Sequence, residues 1–192
     1  NVRSILETKD GRILIGTERI IIDGVDQNTN WVTREIDIIK SVCEPKGMQV
    51  AYYPATNLAD LYNYVEENNS NFDTLMLLEG GTGLTMCESL GQLCNKGGKT
   101  LFSGLIEPVA SFASLGFGAS YESMGEHAGM YAYRWLCEGV PLHKLPPYRD
   151  SKGRQAVANI ELAAQQGLDP KHVAEICRKW DGIIFEKALP PY

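Results

Sequence analysis

The chain has 192 residues, 44% hydrophobic and 22% charged, which is ordinary globular composition with length for one sizeable core or two small ones. Its net charge of −6 is spread without a basic run, which excludes nucleic acid and anionic membrane surfaces as expected partners. No apolar stretch approaches the ~18–20 residues of a membrane span. The chain begins Asn1-Val2-Arg3, so it is read as a processed or excised piece of something longer.

Residues 1–18 suggest a turn at Asp10-Gly11 and a strand at Ile13–Gly16. The stretch resembles one blade repeat of sensor β-propellers, but a single copy cannot close a propeller. From residue 19 the pattern alternates. Arg19–Asp23 reads as a strand, and Asn30–Glu44 as a helix stopped by Pro45 and Gly47. Met48–Tyr53 is the next strand. Asn57 suits an N-cap for a helix facing inward through Leu58, Leu61, Tyr62 and Val65. Thr74–Leu78 reads as a strand, Leu84–Cys94 as a helix and Thr100–Ser103 as a strand, while Phe112–Ala119 looks extended. Tyr121–Leu136 has helical spacing with Tyr121, Met124, Ala128, Ala132 and Trp135 predicted inward. Gly125 and Gly129 share a side where another backbone can approach closely. Residues 140–156, with three prolines, read as an irregular crossing segment. A short helix from Asn159 closed by Gly167 follows, then one capped by Asp169 with Pro170 at its first position.

Strands alternating with helices of about three turns predict an α/β fold, a doubly wound parallel sheet covered on both faces. The expected organisation is an N-terminal extension or remnant of a preceding lobe (1–18), a Rossmann-like lobe (19–139), and a crossing segment with C-terminal helices packing on it (140–192).

In such sheets ligands lie beyond the carboxyl ends of the strands. The loops there read GVDQNTN (24–30), PATN (54–57), EGGTG (79–83) and GLIEP (104–108). Asn, Thr, Asp and Gly suit hydrogen bonds to a small polar or zwitterionic solute and offer little for acid–base chemistry. EGGTG has two readings. Glycines can aim the backbone N–H groups of Thr82–Leu84 at a carboxylate, helped by the helix dipole; alternatively the stretch is a tight turn with Thr82 as N-cap. It is neither GxxxxGK[ST] nor GxGxxG, so no nucleotide or other cofactor is implied. DQNTNW is likewise either a binding loop or a polar turn. Trp31, Tyr53, Tyr62 and Tyr64 stack a ligand or belong to the core, and Glu79 and Glu107 either meet a ligand ammonium or are solvated carboxylates.

Cys43, Cys87, Cys94, Cys137 and Cys177 are odd in number and occupy apolar helical positions, so they read as reduced core residues. With no CxxC and with His127, His143 and His172 scattered, no metal site is expected. Catalysis would rest on Cys87 as a thiol or on Glu79 with Glu107 as a carboxylate pair. The expected class is non-enzymatic, with a small α/β enzyme as the alternative.

Several stretches in order carry a family resemblance: RIIIDGVDQNTNW, FDTLMLLEGGTGLTM, the run from KTLFSGLIEP through SFASLGFGAS and the glycine-containing helix to GVPLHKLP, and AVANIELAAQQGLDP. From about residue 18 to 186 the chain resembles the second half of ABC-transporter solute-binding proteins of the tryptophan/tyrosine-binding branch. That resemblance implies a lobe of a type I periplasmic-binding-protein fold that closes on an amino acid or similar solute. It implies that Thr82 and its neighbours hold the ligand carboxylate and that Asn28, Thr29, Asn30 and Ser103 line the cleft, beside Glu79, Gly80, Gly81 and Glu107. It also implies a membrane permease of an ABC transporter as partner and an extracytoplasmic location, in which five unpaired cysteines are unusual. Where the family commonly has an acidic-amide pair before the threonine, this chain has Gly80-Gly81. Its length allows one lobe, which leaves three arrangements: a fragment missing its second lobe, a ligand-sensing domain of a signalling protein, or a homodimer.

Overall fold

The computed structural model describes residues 19–23, 30–53, 58–68, 70–78, 81–147 and 154–190. The propeller-like reading of residues 1–18 and the N-cap at Asn57 lie outside them. Among the described residues, strands β1 (Arg19–Asp23), β2 (Gln49–Tyr53), β3 (Thr74–Leu77), β4 (Thr100–Ser103) and β5 (Leu115–Ala119) alternate with helices α1 (Asn30–Cys43), α2 (Leu58–Glu67) and α3 (Gly81–Gly97). Helix α4 (Tyr121–Leu136) follows β5. Then come β6 (Arg154–Asn159), α5 (Ile160–Gln165), α6 (Pro170–Lys179) and β7 (Ile183–Phe185).

All seven strands form one sheet in the order β2-β1-β3-β4-β5-β6-β7. The first five are mutually parallel, as expected, but β6 runs antiparallel to β5 and β7 parallel to β6. This corrects the reading of residues 140–156 as wholly irregular, since their end opens a central strand. The alternation of side chains along the strands builds two cores. Met76, Leu78, Phe102, Ala156 and Ala158 face α1 and α6 through Ile36, Ile39, Val173 and Ile176. Leu75, Leu77, Leu101 and Val157 face α2 and α3 through Leu61, Val65, Leu90 and Cys94.

Helix boundaries follow local chemistry. Pro45 sits in the first turn of the 3-10 helix Glu44–Lys46 after α1, and Gly47 ends it at φ 82°, a left-handed conformation that glycine adopts without steric cost. Asn159 and Asp169 cap α5 and α6 with their side chains, as their positions predict. The C-terminal portion is stitched to the sheet by buried amides. Gln166 Oε1 accepts from Leu101 N at 2.7 Å, and its Nε2 donates to Asn95 Oδ1 and to Phe112 O. Each bond satisfies a group that burial would otherwise leave unpaired.

Helix α4 corrects the sequence reading. None of its residues is buried, and Tyr121, Met124 and Trp135, predicted inward, are 54%, 45% and 48% exposed. Its half-buried row is instead Ser123, His127, Tyr131 and Arg134. Among the described residues, a Cβ built on Gly125 or Gly129 meets no atom within 4 Å, so no described backbone approaches there.

Cys43, Cys87, Cys94 and Cys177 are buried as expected, whereas Cys137, the C-cap of α4, is exposed. Burial pushes the thiol of Cys94 up to about 12 and those of Cys43 and Cys177 to about 11. The folded state therefore favours the protonated thiols. That contribution is fully present below the unfolded value near 9 and is lost as pH rises from 9 towards 12. In native protein at pH 8, we expect one thiol to react quickly with a chromogenic disulfide reagent and the Cys137→Ser variant to lose that phase. Fast reaction of two or more thiols would contradict the core placement of the other four.

Candidate crevice at the parallel strand ends

Strand order decides where a crevice opens. The chain steps from β1 outward to β2, then back across β1 to β3, so the connections after β1 and β3 depart towards opposite faces. Register puts the ends of the first four strands side by side: Tyr53 pairs with Asp23, Asp23 with Leu77 and Leu77 with Ser103, while Ser103 meets Gly116 near the start of β5. Helices α1 and α3, which follow β1 and β3, start at Asn30 and Gly81. The first N–H groups of a helix have no intrahelical acceptor, so each of these two helices starts with free donors after one of the two switch-point strands.

The predicted site residues fall around it unequally. Asn28, Thr29, Glu79 and Gly80 lie outside the described residues. Asn30 opens α1, and Gly81 and Thr82 are the first two residues of α3. The helix thus begins three residues earlier than its apolar spacing indicates, and Thr82 sits within the first turn instead of capping it. Ser103 ends β4 and is buried, its Oγ accepting from Leu105 N at 3.1 Å. Glu107 opens the 3-10 turn Glu107–Ala110 and is exposed.

The wall beside Ser103 has a feature that the sequence reading missed. A Cβ on Gly118 would stand 2.7 Å from Gly104 O and 3.3 Å from Leu105 Cα, and one on Gly116 would stand 2.6 Å from Val109 Cγ2. The loop after β4 is therefore laid directly over β5, and only strand positions without side chains admit it. Asn159 fixes the next turn, donating from Nδ2 to Val109 O (3.0 Å) and Ala110 O (3.1 Å). The alternating glycines of LGFGA (115–119) were the available signal.

Other candidates are engaged elsewhere. The rings of Tyr53 and Tyr64 stack on each other at 3.7 Å, and Tyr53 Oη donates to Asp60 Oδ1 at 2.7 Å. That hydrogen bond pushes the Tyr53 phenol above its ordinary value. Cys87 is 3% exposed within the α2/α3 core. Among the described residues no group of three His, Cys, Asp or Glu side chains is placed to hold a metal ion. No described helix is long and apolar enough to cross a membrane.

No family model matches the chain, and no curated protein matches it significantly. Solved structures do. The ABC domain from Streptococcus pneumoniae in complex with L-Trp superposes with a TM-score of 0.71 at 14% identity, over 88% of this chain and 56% of that one. A conserved domain protein from Vibrio cholerae gives 0.70 at 20% identity, over 87% and 54%. The ligand-free, open form of a substrate-binding protein with adhesive properties from Clostridium difficile gives 0.60 at 15% identity, over 79% and 50%. The chain thus spans about half the length of each of these structures. In fold, this chain is similar to part of each of these structures.

Proposed function

We propose that this chain is a solute-binding lobe that holds a small zwitterionic solute, an amino acid or close relative, at the switch point between β1 and β3. The observation that carries the reading is the register Tyr53–Asp23–Leu77–Ser103. It aligns the ends of the strands that α1 and α3 follow, which supports a site where the first turns of those helices begin. Donors of this kind suit a carboxylate, with Thr82 beside it and Glu107 on the facing loop for the ammonium. The likeness of fold to a domain crystallised with L-Trp and to a substrate-binding protein supports the same reading. Its natural setting would be extracytoplasmic uptake through an ABC-type permease.

The test is a thermal-shift screen of the chain against L-amino acids, L-tryptophan included, small peptides and sugars. A solute at tenfold its Kd stabilises by about 1.4 kcal/mol, a rise of roughly 3–6 °C for a chain of this size. Thr82→Val should weaken that solute about five- to tenfold, the loss of one hydrogen bond. Gly81→Val, which places a branched side chain in the first turn of α3, should abolish the shift. If Gly81→Val binds as tightly as the parent chain, the ligand is not where we place it. An enzyme using Cys87 or Glu79 would instead turn over its solute and lose turnover, with affinity kept, on alanine substitution.

A further inference from the structure

The loop after β4 is gripped from a second direction, by the residues that follow β7. That loop runs back along β5, with Gly104 and Leu105 against Gly118 and Val109 against Gly116. Its far end is the 3-10 turn Glu107–Ala110, in which Pro108, Val109 and Ala110 are buried. Strand β7 pairs with β6 up to Phe185, which stands beside Asn159. Beyond Phe185 the chain passes the first turn of α5 as a strap. Ala188 N donates to Glu161 Oε2 at 2.8 Å, and Leu189 N donates to Ala110 O at 2.8 Å. Ala110 O therefore accepts two bonds, one from the strap and one from Asn159 Nδ2 at 3.1 Å. The two holders differ in kind. Asn159 is fully buried, whereas Glu161 and Leu189 are exposed. Hydrogen bonds on an exposed segment are among the first to open locally, so the strap is the holder that can let go.

We propose that the strap, residues 186–189, is a positioning element for the solute crevice, with Glu161 as its latch. When the strap is docked, the 3-10 turn and the Ser103–Glu107 loop ahead of it are held in one arrangement; when it lifts, they loosen. The inference rests on the solute-binding reading, because it takes that loop as one wall of the crevice. No residue of the strap touches the solute; its effect travels through the turn. Docking of the strap and binding of the solute are then coupled, and such coupling is reciprocal. The docked strap raises affinity, and the solute raises the docked fraction. Glu161 is suited to the latch because an ionised carboxylate accepts a backbone N–H more strongly than a neutral acceptor does.

Amide hydrogen exchange of the full chain, parent against Glu161→Ala, tests the strap without any solute. Loss of the latch should speed exchange at Ala188 and Leu189 about five- to tenfold, the effect of one hydrogen bond. Exchange should also quicken at Val109 and Leu105, whose N–H groups bond to Ile106 O and Ser103 Oγ. Glu161→Gln, which keeps an acceptor, should return most of the parent's protection. Because Glu161 is exposed, neither variant disturbs the core. Parent-like exchange at Leu189 in Glu161→Ala overturns the proposal. So does faster exchange at Leu189 with Val109 and Leu105 unchanged, which makes the strap a surface tie. With L-tryptophan as the probe, a thermal shift of the parent chain should be accompanied by slower exchange at Leu189. Its affinity should fall about fivefold in Glu161→Ala and recover in Glu161→Gln. A thermal shift without slower exchange at Leu189 overturns the coupling. The predicted exchange in Glu161→Ala, with no thermal shift from L-tryptophan or any other solute of the screen, keeps the strap as the clamp on the loop and overturns the solute-binding reading alone.

Discussion

Replacing Asn159 with alanine should lower the free energy of unfolding by about 3 kcal/mol, the sum of a lost helix cap, the Val109 carbonyl left unpaired and the Ala110 carbonyl left with only its bond from Leu189 N. Asn159 is fully buried and has three partners. Its Oδ1 accepts from Leu162 N at 3.1 Å, the capping bond of α5, while its Nδ2 donates to Val109 O and Ala110 O. Alanine leaves all three groups without their side-chain partner. The melting temperature should fall by roughly 6–12 °C. Asn159→Asp separates the contributions. It keeps the cap acceptor but sets a carboxylate against two carbonyl oxygens, so at neutral pH it should destabilise at least as much as alanine. Urea denaturation of both variants decides it. A loss under 1 kcal/mol for alanine would mean that the amide is not the clamp between β6 and the 3-10 turn.

Gly118→Val should destabilise by on the order of 3 kcal/mol, against the direction that strand propensity indicates. Valine is a better strand residue than glycine, which by itself would stabilise by about 0.5–1 kcal/mol. The position offers no room, because the first carbon alone would lie 2.7 Å from a backbone carbonyl, and backbone cannot yield as a flexible side chain does. Overpacking of this kind costs about 1–3 kcal/mol, and a branched side chain belongs at the upper end. The loop that must move, Gly104–Ile106, follows Ser103 and precedes Glu107, so solute affinity should fall along with stability. Equilibrium unfolding and the thermal-shift assay on the same variant read both. A Gly118→Val chain as stable as the parent would show that the loop is not held against β5.

These clamps explain which parts of the fold were legible in the sequence. Some elements whose apolar residues point into the lobe's own core were read to within a residue or two, such as α1 with Ile36, Ile39 and Cys43 and β4 with Leu101 and Phe102, whereas α3 runs three residues further at each end than its apolar spacing indicates. Strand β6 was missed because RQAVAN has two alanines and a polar start, a weak strand pattern whose stability comes from pairing with β5. The three residues of β7 were too short for any period to register. Helix α4 was found with the right bounds and the wrong inward face. An apolar stripe says that something covers it, not that the same lobe does.

The candidate site divides in the same way. Sequence places the loops at the strand ends, because alternation of strand and helix is a local property. It does not give the strand order that makes β1 and β3 neighbours, nor the packing of the loop after β4 over Gly116 and Gly118, because both depend on contacts distant in sequence. Tyr53 and Tyr64 show the limit from the other side. As residue types they suit a ligand's ring, yet in the fold they stack on each other.

The most direct test of solute binding at the β1/β3 switch point is an amide chemical-shift titration of the isotopically labelled chain with the solute that the thermal screen selects. We predict saturable shifts concentrated at the first turns of α1 and α3, Asn30–Val32 and Gly81–Gly83, and along Ser103–Glu107. Shifts that saturate at another surface, or no saturable shift with any amino acid, peptide or sugar, would contradict the account.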